Sequence, residues 1–316
     1  MTLVQLEYVV ALDRFRHFAL AAANCYVTQP TLSMQIHKLE QELGLKIFDR
    51  SKQPVMPTEA GLAIIEHAKK ILVERDAMNE MLHTRKGILS GELKIGIIPT
   101  LAPYLLPLFA QQFTKKYPHV KLIVNEMMTD LMVNRLREGA IDAGILVTPL
   151  QEYGIREHIL FYEELLVYVS KKNNDFKKHY VLAQDIDPHK LWLLEEGHCF
   201  RSQIMNLCEL QKASKEGHSF EYEAGSIETL RRMVELSDGI TILPELASME
   251  LTGKQQDQLR EFKRPAPMRE VSLVVHRDFV KKRLVEILKN EIIAAVPDKI
   301  RKNKAIHVVP IQDQGN

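Results

Sequence analysis

The sequence predicts an α/β protein built in three parts: a small helical head, one long connecting helix, and a pair of α/β lobes. Three observations predict it. Residues 1 to 57 carry helical patterning joined by tight connections. A near-heptad apolar repeat runs from Thr58 to about Lys86. From Glu92 onward, strand-like runs alternate with helical stretches, as in βαβ units. With 316 residues, 46% of them apolar, the chain can bury large cores and is expected to hold two or three domains.

The head has the outline of a helix-turn-helix. Phe-Ala-Leu-Ala-Ala-Ala at 18 to 23 and a turn through Cys25 and Tyr26 lead into a second helix from 28 to 44. Thr28 can cap that helix, Pro30 sits in its first turn where a missing N–H costs little, and Gly44 ends it. At 100° per residue, Leu32, Ile36, Leu39 and Leu43 fall on one stripe and must be core. Pro30, Thr31, Met34, His37, Lys38 and Gln41 fall on or near the opposite face, which suits a major groove of double-stranded DNA. Thr31 and Met34 suit thymine methyls, Gln29 and Gln41 suit base edges, and His37, Lys38 and Arg50 suit phosphates. The prolines Pro54 and Pro57 break helix and suit a small hairpin over 52 to 57. Charge adds nothing: within residues 1 to 60, six Lys and Arg balance six Asp and Glu. A polar face on an ordinary helical domain is the competing reading.

The connecting segment, 58 to 90, places Ile64, Ala68, Ile71, Met78 and Leu82 on one seam and ends at Gly87 and Gly91. An apolar seam of that length calls for a second copy of the chain, against the alternative that it lies on its own head. In the remainder, 91 to 296, strands are expected at 93 to 98, 120 to 124, 142 to 147, 165 to 169, 191 to 194, 239 to 243 and 270 to 276. They group into one subdomain of about 91 to 162 plus 268 to 296 and another of 163 to 267. The tail from 297 to 316, with Lys299, Arg301, Lys302 and Lys304, is expected to be solvated and flexible.

Composition bounds the partners and the compartment. A net charge of +1 excludes a strongly basic protein, and three cysteines in so long a chain argue against an extracellular disulfide scaffold. The expected location is the cytoplasm, because the N-terminus lacks the apolar core of a signal peptide and no apolar run is long enough for a membrane span.

The most telling feature is the pair Cys199 and Cys208, nine residues apart. In a continuous helix their Cα atoms lie about 13 Å apart, whereas a disulfide needs roughly 4.4 to 6.8 Å. Joining them breaks the local structure, so the spacing reads as a redox switch rather than a staple. Cys199 has two features that lower a thiol pKa. Gly197 breaks the chain so that a helix can start at the cysteine, and the cations Arg201 and His198 are near in sequence. Cys208, beside Leu207 and Leu210, reads as a protonated thiol at rest. Cys25 reads as a small buried hydrophobe.

Several motifs resemble the LysR-type transcriptional regulators: residues 18 to 23, Gln-Pro-Thr-Leu-Ser at 29 to 33, Lys-Leu-Glu-Gln-Glu-Leu-Gly at 38 to 44, Phe-Asp-Arg at 48 to 50, and Thr-Glu-Ala-Gly at 58 to 61. The resemblance implies a winged helix-turn-helix head, a dimerising linker helix, and a two-lobed effector domain like the periplasmic binding proteins. It also implies dimers and tetramers that bend promoter DNA and act on RNA polymerase. It assigns the DNA face to Thr28, Gln29, Pro30, Thr31, Ser33, Met34, His37, Lys38 and Arg50. The position after Ser33, an arginine in many members, is Met34, which leaves base readout there open.

Within that family, Glu-Gly-His-Cys-Phe-Arg at 196 to 201 with Cys208 resembles the OxyR-type hydrogen peroxide sensors, as do Thr100, Thr129, His218 and the approximate position of Arg269. That resemblance implies a peroxidatic Cys199 and a resolving Cys208 joined in a disulfide that thioredoxin or glutaredoxin resets. It also implies that Thr100, Thr129, His198, Arg201, His218 and Arg269 bind or activate peroxide; His218 and Arg269 can equally serve only the fold. No cofactor is expected. Three other readings stay open. The lobes can clasp a small anionic metabolite, the thiol pair can make a thiol peroxidase, or Cys199, Cys208, His198 and His218 can hold zinc. The head serves no purpose in a peroxidase, and the four zinc candidates lack paired ligand spacing.

Overall fold

The computed structural model describes residues 1–85, 89–173, 180–208, 224–277, 279 and 281–311. Two compact units divide the chain: Met1–Ile88 with Asp278–Lys281, and Leu89–Arg277 with Lys282–Asn316.

The first unit holds α1 (Leu3–Phe15), α2 (Phe18–Asn24), α3 (Gln29–Leu43), the antiparallel pair β1 (Phe48–Asp49) and β2 (Met56–Pro57), and α4 (Glu59–Arg85). The start of α3 is fixed by Thr28, whose hydroxyl accepts the Thr31 N–H at 3.4 Å, and its end by Gly44 at φ +69°. Leu32, Ile36 and Leu39 are fully buried against Leu6, Val9 and Leu12 of α1, while Leu43 is half-buried at the rim of that core. This is the helix-turn-helix that the apolar stripe and caps anticipate, and the β1–β2 pair is the wing that the resemblance implies. The α4 seam divides. Ile65 and Ala68 close the head core, whereas Ile71 and Met78 are exposed.

The second unit is built on one eight-stranded sheet. Its elements are β3 (Gly91–Ile97), α5 (Ala102–Lys116), β4 (Val120–Glu126), α6 (Thr129–Arg137), β5 (Ala143–Thr148), β6 (Ile155–Val169), β7 (Tyr180–Val181), α7 (Cys199–Leu207), α8 (Ile227–Leu236), β8 (Ile240–Pro244), α9 (Glu245–Ser248), α10 (Gly253–Gln256), β9 (Leu259–Phe262), β10 (Met268–His276), α11 (Lys282–Ala295) and α12 (Asp298–Arg301). β3 pairs in parallel with β4 and β5, the arrangement of a βαβ crossover. β10 runs antiparallel between β5 and β6. The long β6 serves both lobes: its residues 155 to 164 face β10, and from Leu165 onward they face β8 and β9. Buried apolar side chains occur in both lobes: Ile95, Ile97, Phe109, Phe113, Ile145, Leu273 and Leu288 on β3, α5, β5, β10 and α11, and Val167, Phe200, Ile204, Leu230, Val234 and Ile242 on β6, α7, α8 and β8.

Two expectations are corrected. The run 191 to 194 forms only isolated bridges, Leu191 with Ile240 and Leu194 with Ala224, because the 3-10 turn Pro188–Lys190 ends just before it and keeps it from extending. The tail is not a loose end over 297 to 311. After α12 it runs beside β10, where Met268 donates to the His307 carbonyl (2.8 Å) and accepts from the Val309 N–H (2.9 Å). The charges that suggested a solvated run are real, but Ile300 lies among them and Val309 follows them, and both are buried. Among the described residues no helix is long and apolar enough to cross a membrane.

Candidate functional site

The sulfur site forms where α7 begins. Gly197 adopts φ +95°, a conformation open to glycine and costly to most residues, and His198 then caps the helix so that Cys199 is its first residue. Across from it, Thr129 opens α6. That helix packs tightly on β5 because Gly144 has no side chain: a Cβ there would lie 2.3 Å from Met132 Sδ. Thr129 Oγ1 thereby donates to Cys199 Sγ at 3.7 Å, and the sulfur is buried.

Arg269 completes the surroundings. It is fully buried at the start of β10, in register with Glu163 on β6, and its Nε donates to Glu163 Oε1 at 2.6 Å. Its remaining nitrogens donate to Thr100 Oγ1 (3.1 Å) and to the Thr100 carbonyl (3.3 Å), and its guanidinium lies 5.3 Å from the centre of the Phe200 ring. Glu163 in turn accepts the Leu246 N–H of α9 at 3.0 Å. One buried cation therefore ties the turn before α5 to β6 and to the residue following Cys199. Thr100 acts within this tie as the arginine's acceptor.

The electrostatics differ from the sequence expectation. Burial pushes the Cys199 thiol above its ordinary pKa, and the Thr129 hydroxyl, the Arg269 charge and the Phe200 backbone N–H only partly pull it back. The cations expected beside the thiol are the wrong ones. Arg201 is turned away, its Nη1 donating to the Leu194 carbonyl at 2.8 Å. Burial lowers the His198 pKa and favours its neutral form; its Nε2 has no hydrogen-bond partner among the described residues and lies 3.7 Å from Glu195 Oε1. Arg269, distant in sequence, is the nearby cation. Cys208 caps the far end of α7, half-buried, with its thiol pushed up by burial to about 12. Both cysteines are free thiols at opposite ends of one intact helix. His218 lies outside the described residues. Among the described residues no three His, Cys, Asp or Glu side chains converge as metal ligands.

A cleft of about 430 Å³ opens beside this site, lined by residues that include Thr129, Asn134, Arg137, Glu152, Ser202 and Ile311. Arg137, the cation in it, is already paired with Glu152 at 2.6 Å.

In the head, Thr28, Gln29, Pro30, Met34, His37, Lys38 and Gln41 are exposed on α3, with Thr31 and Ser33 half-buried beside them. Arg50 is held by the protein, donating to Glu40 Oε2 (2.9 Å) and Ser33 Oγ (3.3 Å) and stacking on Phe18 at 5.3 Å. Cys25 packs against the head core, as a small apolar residue would. Sequence reasoning missed Glu163, Phe200 and Glu40. Glu163 did leave a signal, as one of two adjacent carboxylates, with Glu164, set between the apolar runs 159 to 162 and 165 to 169.

A reading head followed by a two-lobed unit with a buried, hydrogen-bonded thiol defines a DNA-binding regulator of the sensory kind. The chain belongs to the LysR family: residues 3–62 match the bacterial regulatory helix-turn-helix proteins of that family, and residues 86–296 match the LysR substrate binding domain. Within it the chain is similar to the OxyR proteins. It is 36% identical over 274 residues to the hydrogen peroxide-inducible genes activator of Dickeya chrysanthemi, covering 87% of this chain and 89% of that one. Full-length OxyR C199D from Pseudomonas aeruginosa superposes with a TM-score of 0.74 at 34% identity, over 92% of this chain and 97% of that one. A Corynebacterium glutamicum OxyR cysteine mutant, solved with hydrogen peroxide bound, gives 0.58 at 28% identity over 93% and 92%.

Proposed function

We propose that this chain is a transcriptional regulator that senses hydrogen peroxide at Cys199, joins it to Cys208 in an intramolecular disulfide, and so switches the expression of oxidative-stress defence genes. The observation that carries the reading is the Cys199 sulfur itself, buried at the start of α7, hydrogen-bonded by Thr129 and beside the fixed charge of Arg269.

At rest both thiols are protonated. Once Cys199 loses its proton, the thiolate attacks one peroxide oxygen; the S–O bond forms, the O–O bond breaks, and the departing hydroxide takes up the thiol proton as water. Thr129 and Arg269 stabilise the thiolate, and Thr129 is placed to orient the peroxide. Thr100 holds Arg269 in position. Cys208 then attacks the sulfenyl sulfur of Cys199. The S–S bond forms, the S–O bond breaks, and a second water leaves with the Cys208 proton. Because α7 separates the two cysteine Cα atoms by about 13 Å, well beyond disulfide reach, this second step requires the helix to come apart.

The rest of the assignment follows the same reading. Thr28, Gln29, Pro30, Thr31, Ser33, Met34, His37 and Lys38 face promoter DNA, Arg50 supports that face, and Ile71 and Met78 on α4 meet a second copy in a dimer or tetramer. RNA polymerase is the partner on the promoter, thioredoxin or glutaredoxin resets the disulfide, and the protein works in the cytoplasm. A small anionic metabolite fits less well, because Glu152 already neutralises Arg137 in the adjoining cleft.

Thiol counting on reduced protein before and after one equivalent of hydrogen peroxide tests the proposal, with the Cys199–Cys208 peptide mapped by mass spectrometry. Two thiols should disappear into that link, and Cys199→Ser should lose the response while still binding DNA. Unselective or slow oxidation of all three cysteines would return the metabolite reading to first place.

A further inference from the structure

The tail lies across the helix that must open. Cys199, Gln203 and Asn206 share one stripe of α7, at spacings of four and three residues. The last two are tied to the end of the chain: Gln203 Nε2 donates to the Val309 carbonyl at 2.8 Å and Asn206 Nδ2 to the Pro310 carbonyl at 3.0 Å. Gln203 is fully buried, and its side-chain oxygen has no donor among the described residues, so the bond from its nitrogen to the tail is the one that holds this side chain there. The strap is anchored upstream as well. Asn303 donates to the Tyr162 carbonyl (3.1 Å), Lys299 Nζ lies 2.7 Å from the buried carboxylate of Glu245, and 307 to 309 pair with Met268, next to Arg269.

We infer that the 303–310 strap, through Gln203 and Asn206, gates the disulfide-forming step of the peroxide response: α7 cannot unwind toward Cys208 until the strap lets go. Gln203 and Asn206 are positioning residues, since neither is placed against the reacting sulfur. The inference rests on the peroxide reading and refines it. A sulfenic acid formed at Cys199 persists while the strap holds, so the strap sets how long the first oxidation product waits before the shape change is committed. Peroxide attack itself, at the first residue of α7, does not need the strap to move.

The test separates the two steps in full-length reduced protein, in Gln203→Met, and in a chain ending at Lys304. Gln and Met have nearly equal helix propensity, so the substitution removes the tie without weakening α7 itself. Each protein receives one equivalent of hydrogen peroxide in the presence of dimedone, which captures sulfenic acid. The ratio of dimedone-labelled Cys199 to Cys199–Cys208 disulfide measures the competition between trapping and the second step. The loss of Cys199 thiol measures the first step. Loss of one buried hydrogen bond should lower that ratio roughly five- to tenfold in Gln203→Met, and further in the shortened chain, with an unchanged rate of Cys199 oxidation. An unchanged ratio in both variants overturns the gate. So does a slower first oxidation, which would mean that the strap aligns Cys199 instead. Hydrogen exchange of the α7 amides in the reduced proteins gives a second reading that needs no peroxide. Exchange should quicken in both variants while β3 and β5 amides hold steady, and unchanged α7 exchange again overturns the gate. If wild-type Cys199 gives no sulfenic acid at all, the peroxide reading fails, and the exchange data still judge the strap.

Discussion

Cys199 shows how little a motif says about reactivity by itself. A cysteine after Gly-His, with an arginine two positions on, reads as a thiol with its pKa lowered, yet burial raises it and the neighbouring arginine points to the Leu194 carbonyl. Desolvation acts on the charged form wherever the sulfur is covered, and the chain alone does not say how deeply that is. The group that does donate to the sulfur, Thr129, is seventy positions away. Because the thiol is protonated near neutrality, its thiolate fraction rises about tenfold per pH unit below the pKa, and the rate of Cys199 oxidation should climb with pH in the same proportion. Thr129→Val removes a hydrogen bond that favours the thiolate. The pKa should therefore rise further, moving the iodoacetamide-reactivity profile of Cys199 to higher pH by up to about one unit and slowing peroxide oxidation roughly fivefold to tenfold. A profile that stays put would remove Thr129 from the site.

Among the elements, α3 was the most legible, since its cap, first-turn proline, apolar stripe and terminal glycine all point to one helix. Its attachment to the wing was not. Glu40 falls next to the buried stripe, and its carboxylate accepts the Ile47 and Phe48 N–H groups at 2.9 and 3.2 Å while pairing with Arg50. A single acidic side chain thus terminates backbone donors that would otherwise be orphaned at the start of β1. Glu40→Ala should cost the head about 3 kcal/mol, the scale of two buried N–H groups left without partners together with a lost ion pair. Amide exchange at Ile47 and Phe48 should accelerate well over tenfold; if those two amides keep their protection, the carboxylate is not what secures the wing.

At the scale of the regulatory unit, the buried Arg269–Glu163 pair joins strands and lobes that meet only in three dimensions. Removing one partner leaves the other as an uncompensated buried charge, so Arg269→Met should destabilise the unit by about 3 to 5 kcal/mol. Replacing both, Arg269→Met with Glu163→Met, should recover most of that loss, because no charge is then stranded and only the Leu246 N–H and the Thr100 groups lose a partner. The single tryptophan, Trp192, belongs to this unit, so urea unfolding followed by its fluorescence reports on it directly. A double variant no more stable than Arg269→Met alone would show that the arginine contributes through packing on Phe200 rather than through charge.

The sequence by itself determined the local features: the periodicity that sets each long helix, the glycine and cap signals that end them, the alternation of strands and helices, and two cysteines too far apart along a helix to join without breaking it. Each of these depends on residues within a turn or two of one another. The tertiary structure decided what surrounds the sulfur, with Arg269 rather than Arg201 as the nearby cation and Thr129 as the hydroxyl donor. It also turned the charged tail into a strap on α7, where Gln203 and Asn206 donate to the Val309 and Pro310 carbonyls and where Val309 is buried. Burial and long-range pairing are properties of the folded whole, and they govern both the pKa of the thiol and the freedom of the helix that carries it.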